Sequence, residues 1–101
     1  MKVCGIRSET GARACAAAGV DFAGLNFVPG VRRTVSLEHA RELLPLLGAV
    51  RPVALFRDAG PAEVADQAGD LGIGWVQLHG AETPADCARI ARAGLKVVKA
   101  V

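Results

Sequence analysis

The chain has 101 residues, of which 51% are hydrophobic and 22% charged, the balance of one folded globular domain and not of a disordered or fibrous protein. Its formal charge of +2 comes from scattered residues, and aromatics make up 4% with no Tyr, so neither a basic stripe nor a stacking platform for nucleic acid is present. Pro or Gly interrupts every apolar run short of membrane-spanning length, and no leader-like start precedes them, so a cytoplasmic protein with no membrane partner is expected.

Short apolar runs suited to buried strands occur at Lys2–Cys4, Phe22–Phe27, Pro52–Phe56, Gly74–Leu78 and Lys96–Val101. Between them lie segments of helical spacing: Leu37, Ala40, Leu44 and Leu47, then Val64, Ala68 and Leu71, then Cys87, Ile90 and Ala91. Ser8, Ser36 and Thr83 suit helix N-caps, and Pro61 and Pro84 suit a first helical position. Gly19, Gly48, Gly72 and Gly94 each follow a helical stretch, where a left-handed residue commonly closes the helix. The result is a run of βα units, an α/β fold with a parallel sheet, either open and doubly wound or part of a closed barrel. Both arrangements gather ligands at the carboxyl ends of the strands.

The loops after the strands are therefore the places to look for chemistry. Cys4, just ahead of a helix start, is either a thiolate base or a small buried hydrophobe, as most free cysteines are. Arg32 and Arg33 suit a carboxylate, and equally suit an exposed loop. Arg57 and Asp58 form at most a local ion pair and receive no role. Gln77 and His79 alternate along one apolar strand, so they share a side. Such a pair is costly to bury unless it meets a ligand, water or another polar group.

The three cysteines, Cys4, Cys15 and Cys87, are odd in number and lack C-x-x-C spacing, which points away from a disulfide framework or a zinc site. Cys4 with His79 is a weak metal pair, and neither G-x-G-x-x-G nor a P-loop occurs.

Taken in order, Lys2-Val3-Cys4-Gly5-Ile6, Ala18-Gly19-Val20-Asp21, Phe27-Val28-Pro29 with Arg33 and Val35-Ser36, and Val76-Gln77-Leu78-His79-Gly80 with Glu82 resemble phosphoribosylanthranilate isomerase over the whole chain. Val31 stands where that family usually has Ser, and Thr34 where it commonly has Tyr. The resemblance implies parallel (β/α) units of a (β/α)8 TIM barrel, truncated after about the fifth strand, with residues 1–101 as the N-terminal half, β1 to β5. It implies an Amadori rearrangement of N-(5-phosphoribosyl)anthranilate in tryptophan biosynthesis, an aldose–ketose isomerisation that needs no metal or organic cofactor.

By the same resemblance, Cys4 is the general base, Arg33 holds the anthranilate carboxylate, and Gln77 and His79 line the anthranilate side of the pocket. The family's acid is an aspartate after strand six and its phosphate grip follows strands seven and eight. A barrel of this kind needs eight strands and roughly 200 residues, so a truncated isomerase is the expectation. The alternative is a non-catalytic half-barrel that self-associates through open sheet edges, or pairs with a separate second half. A different phosphosugar barrel enzyme is disfavoured by the Cys-Gly and Gln-Leu-His-Gly segments.

Overall fold

The structure, a computed structural model, describes residues 2–4 (backbone alone), 6, 8–28, 35–80 and 82–99. Five strands alternate with four helices: β1 (Lys2–Cys4), α1 (Glu9–Ala18), β2 (Phe22–Asn26), α2 (Leu37–Leu43), β3 (Arg51–Phe56), α3 (Pro61–Leu71), β4 (Trp75–Leu78), α4 (Pro84–Arg92) and β5 (Lys96–Lys99). The strands are all parallel, in the order β1-β2-β3-β4-β5.

The expected caps form. The Ser8 hydroxyl accepts the Gly11 N–H, Ser36 accepts that of His39, and Thr83 forms a reciprocal capping box with Asp86. Pro61 and Pro84 open α3 and α4. The single helix expected across Leu37 to Leu47 is instead α2 followed by a 3₁₀ turn, Leu44–Leu47. Pro45 is the reason: it has no N–H to give to the carbonyl four residues back, so the α-helical ladder cannot run through it. Leu47 nonetheless stays buried.

The two faces of the sheet differ. Ala23, Leu25, Ala54, Phe56, Val76 and Leu78 join Ala12, Cys15, Leu43, Val64, Ala68 and Ile90 of the helices in one core. Val53 and Leu55 are also buried, but they belong to the opposite face and stand outside that core. All four helices thus contribute to the covering of one face. A doubly wound sheet reverses its strand order and carries helices on both faces; this sheet does neither, which is barrel-type winding.

Candidate functional site

Parallel pairing brings every strand's carboxyl end to one rim. The backbone register runs from Cys4 to Gly24, from Gly24 to Val53 and from Val53 to Trp75, two residues ahead of Gln77. Cys4 therefore ends β1 on the rim toward which Gln77 and His79 lead; its side chain lies outside the described residues. Arg33 lies outside them altogether. The residues that bracket its segment are both anchored on Asn26: Val28 donates its N–H to Asn26 Oδ1 at 2.9 Å, and Val35 donates to the Asn26 carbonyl at 2.9 Å.

Gln77 and His79 have different surroundings. His79 is exposed just beyond β4, its N–H bonded to the Phe56 carbonyl at 3.0 Å. Gln77 is half-buried, and its Oε1 is shielded from solvent with no hydrogen-bond partner among the described residues. It borders a cavity of about 160 Å³ with Phe22, Val53, Trp75 and Val98. Phe22 meets Trp75 edge-on at 5.2 Å, and the Lys96 ammonium sits 5.0 Å from the Trp75 ring centre. Val98, 42% exposed, leaves this inner face partly open.

A larger hollow, about 480 Å³, lies elsewhere, at the amino ends of β2 and β3 beside Asp21 and Arg51. Strand amino ends in parallel sheets serve stability, whereas ligands collect at the carboxyl ends, so the rim of Gln77 and His79 is the better candidate. A further hollow of about 310 Å³ lies at that carboxyl end, between Phe27, Phe56, Asp58 and Glu63.

Sequence reasoning gave no role to Glu82, Asp58 or Lys99, which the fold brings together. Glu82 Oε2 accepts the Asp58 N–H at 2.7 Å, and Oε1 accepts the Gly80 N–H at 2.8 Å and the Lys99 ammonium at 3.2 Å. Lys99 also donates to the Gly80 carbonyl. Burial pushes the Glu82 carboxyl upward, but the amides of Glu82, Asp58 and Gly80 and the Lys99 ammonium outweigh it and hold the group below its ordinary 4.5. The only sequence signal was Glu82 closing the Gln-Leu-His-Gly segment. Among the described residues, no three His, Cys, Asp or Glu side chains gather as a metal site, and no helix is long and apolar enough to cross a membrane.

Strand order, one-sided helix cover and a polar rim after β4 define a segment of a parallel β/α barrel. Across residues 1–101 the sequence matches the N-(5'-phosphoribosyl)anthranilate (PRA) isomerase family. It is 40% identical to the N-(5'-phosphoribosyl)anthranilate isomerase of Rubrobacter xylanophilus, over 100% of this chain and 50% of that protein. The phosphoribosyl anthranilate isomerase of Thermus thermophilus superposes with a TM-score of 0.93 at 35% identity, over 99% of this chain and 50% of that one. A phosphoribosyl anthranilate isomerase in complex with reduced 1-(o-carboxyphenylamino)-1-deoxyribulose 5-phosphate gives 0.92 at 35% identity, over 99% and 52%. The chain belongs to the N-(5'-phosphoribosyl)anthranilate isomerase family, and it spans about half the length of the relatives it matches.

Proposed function

We propose that this chain supplies one side of the substrate site of a cytoplasmic phosphoribosylanthranilate isomerase of tryptophan biosynthesis. In this reading residues 1–101 are the N-terminal half of the barrel, its strands one to five. The observation that carries it is Gln77, whose Oε1 is buried without a partner among the described residues, on the strand that leads to His79. A buried polar atom of that kind gains most from a ligand donor.

The reaction is an internal redox exchange: C1′ of the sugar gains hydrogen, C2′ loses it, and no outside oxidant or reductant takes part. A proton delivered to the furanose oxygen opens the ring as the anthranilate nitrogen forms a C=N bond at C1′. Cys4, as thiolate, takes the proton from C2′, giving an enolamine, and protonation at C1′ leaves the C2′ hydroxyl as a ketone. A free thiol ionises at about 8.5, and in this reading the thiolate is the species that takes the proton. Arg33 holds the anthranilate carboxylate, while Gln77 and His79 line the ring's side of the pocket. The acid and the phosphate grip come from barrel strands beyond the fifth.

The test is turnover of N-(5-phosphoribosyl)anthranilate by the barrel that contains this segment, with and without Cys4→Ser. Loss of a general base costs about 10²–10⁴-fold, so a fall of that size in kcat supports the reading, and a fall below threefold overturns it.

The open inner face and the two sheet edges, β1 and β5, support a second reading in which the segment pairs with a second copy or a separate second half. Sedimentation of the purified chain tests it: a monomer at all concentrations rejects self-pairing.

A further inference from the structure

Glu82 is the only charged residue that the described residues bury, its side chain 2% exposed. An ionised carboxylate is costly to remove from water unless fully partnered. Here its partners come from three successive strand ends: Asp58 after β3, Gly80 after β4 and Lys99 in β5. His79 stands in the middle of this arrangement. Its own N–H is held by the Phe56 carbonyl at the end of β3, and the N–H of the next residue, Gly80, is held by Glu82.

We propose that Glu82 is a positioning residue: through Gly80 it fixes the backbone of His79 at the rim, and through Asp58 and Lys99 it fixes that rim against the neighbouring strands. It touches no substrate and acts through His79. The functional importance of this rests on the reading that His79 faces the substrate, whereas the clamp itself can be tested without any ligand.

The experiment is amide hydrogen exchange and the imidazole resonances of His79 in the full chain carrying Glu82→Gln, Glu82→Ala or Lys99→Met. Glu82→Gln is nearly isosteric and carries the test should Glu82→Ala fail to fold. The expected result is exchange at Gly80 and Asp58 faster by about tenfold or more, as for loss of a hydrogen bond to a charged group. The effect is larger for Ala than for Gln, the His79 resonances shift in step, and the amides of α1 and α2 are unchanged. Lys99→Met accelerates Gly80 and spares Asp58, whose N–H is held by the other carboxylate oxygen. Unchanged exchange at Gly80 and Asp58, unmoved His79 resonances, or an equal acceleration across α1 and α2 overturns the proposal. The substrate reading is judged separately, by the Cys4→Ser turnover measurement.

Discussion

Gly80 lies so close to Asp58 that a Cβ on it would stand 2.8 Å from the Asp58 backbone nitrogen and closer still to the Asp58 carboxylate. The loops after β3 and β4 touch through bare backbone at this point. Asp58 is itself held with φ of 55°, the one positive value among described non-glycine residues, so it has little freedom to retreat. Gly80→Ala is expected to destabilise the chain by about 1–3 kcal/mol, the usual range for overpacking, as read by urea unfolding. An unchanged midpoint would mean that the loop gives way freely.

The carboxyl of Glu82 sits below its ordinary 4.5 in the folded chain. A depressed folded value means that its stabilising contribution is complete above the unfolded pKa and is lost as pH falls through the folded one. Stability should therefore drop on acidification from about pH 6 to about pH 3 by more in the wild-type chain than in Glu82→Gln. The difference between the two unfolding curves across that range isolates Glu82 from the other carboxylates, and parallel curves would contradict the shift.

Gln77 sets stability against function. Its Oε1 has no partner among the described residues, and replacing an unsatisfied polar group with an apolar one of similar shape is neutral or stabilising. Gln77→Met should leave the unfolding free energy unchanged or raise it by about 1 kcal/mol, while weakening substrate binding in the barrel. Calorimetry and a KM measurement on the same variant check both halves.

Ile90 is the one fully buried side chain that α4 lends to the core. Ile90→Ala should cost about 2–5 kcal/mol. Thr83→Ala, which removes the cap at the other end of the helix contact, should cost about 1 kcal/mol. Far-ultraviolet circular dichroism during thermal unfolding ranks the two, and a cap variant worse than the core variant would mean that α4 is held mainly by its ends.

Much of this molecule was legible in its residues alone. Local rules place Ser8, Ser36 and Thr83 at helix starts, because a short side chain there can reach a free backbone N–H two or three residues on. The strand bounds are legible to within a residue at most ends, because the strands of a parallel sheet read as short apolar runs between turn residues. Pro45 breaks the second helix in a way that apolar spacing does not register, since spacing alone says nothing of a missing N–H. Gln77 and His79 were legible as a pair, since period two is a property of the backbone, but their unequal exposure was not.

What the sequence by itself determined was the succession of βα units and the approximate bounds of each strand, because these follow from interactions between near neighbours in the chain. Periodicity left an open sheet and barrel-type winding equally possible, the family resemblance implied the barrel, and the tertiary structure bears that out through strand order and the one-sided helix cover. Only the tertiary structure brought Asp58, Gly80 and Lys99 onto Glu82. Partners as far apart in sequence as Asp58 and Glu82 meet only once β3, β4 and β5 are aligned in register, and no local rule encodes that alignment.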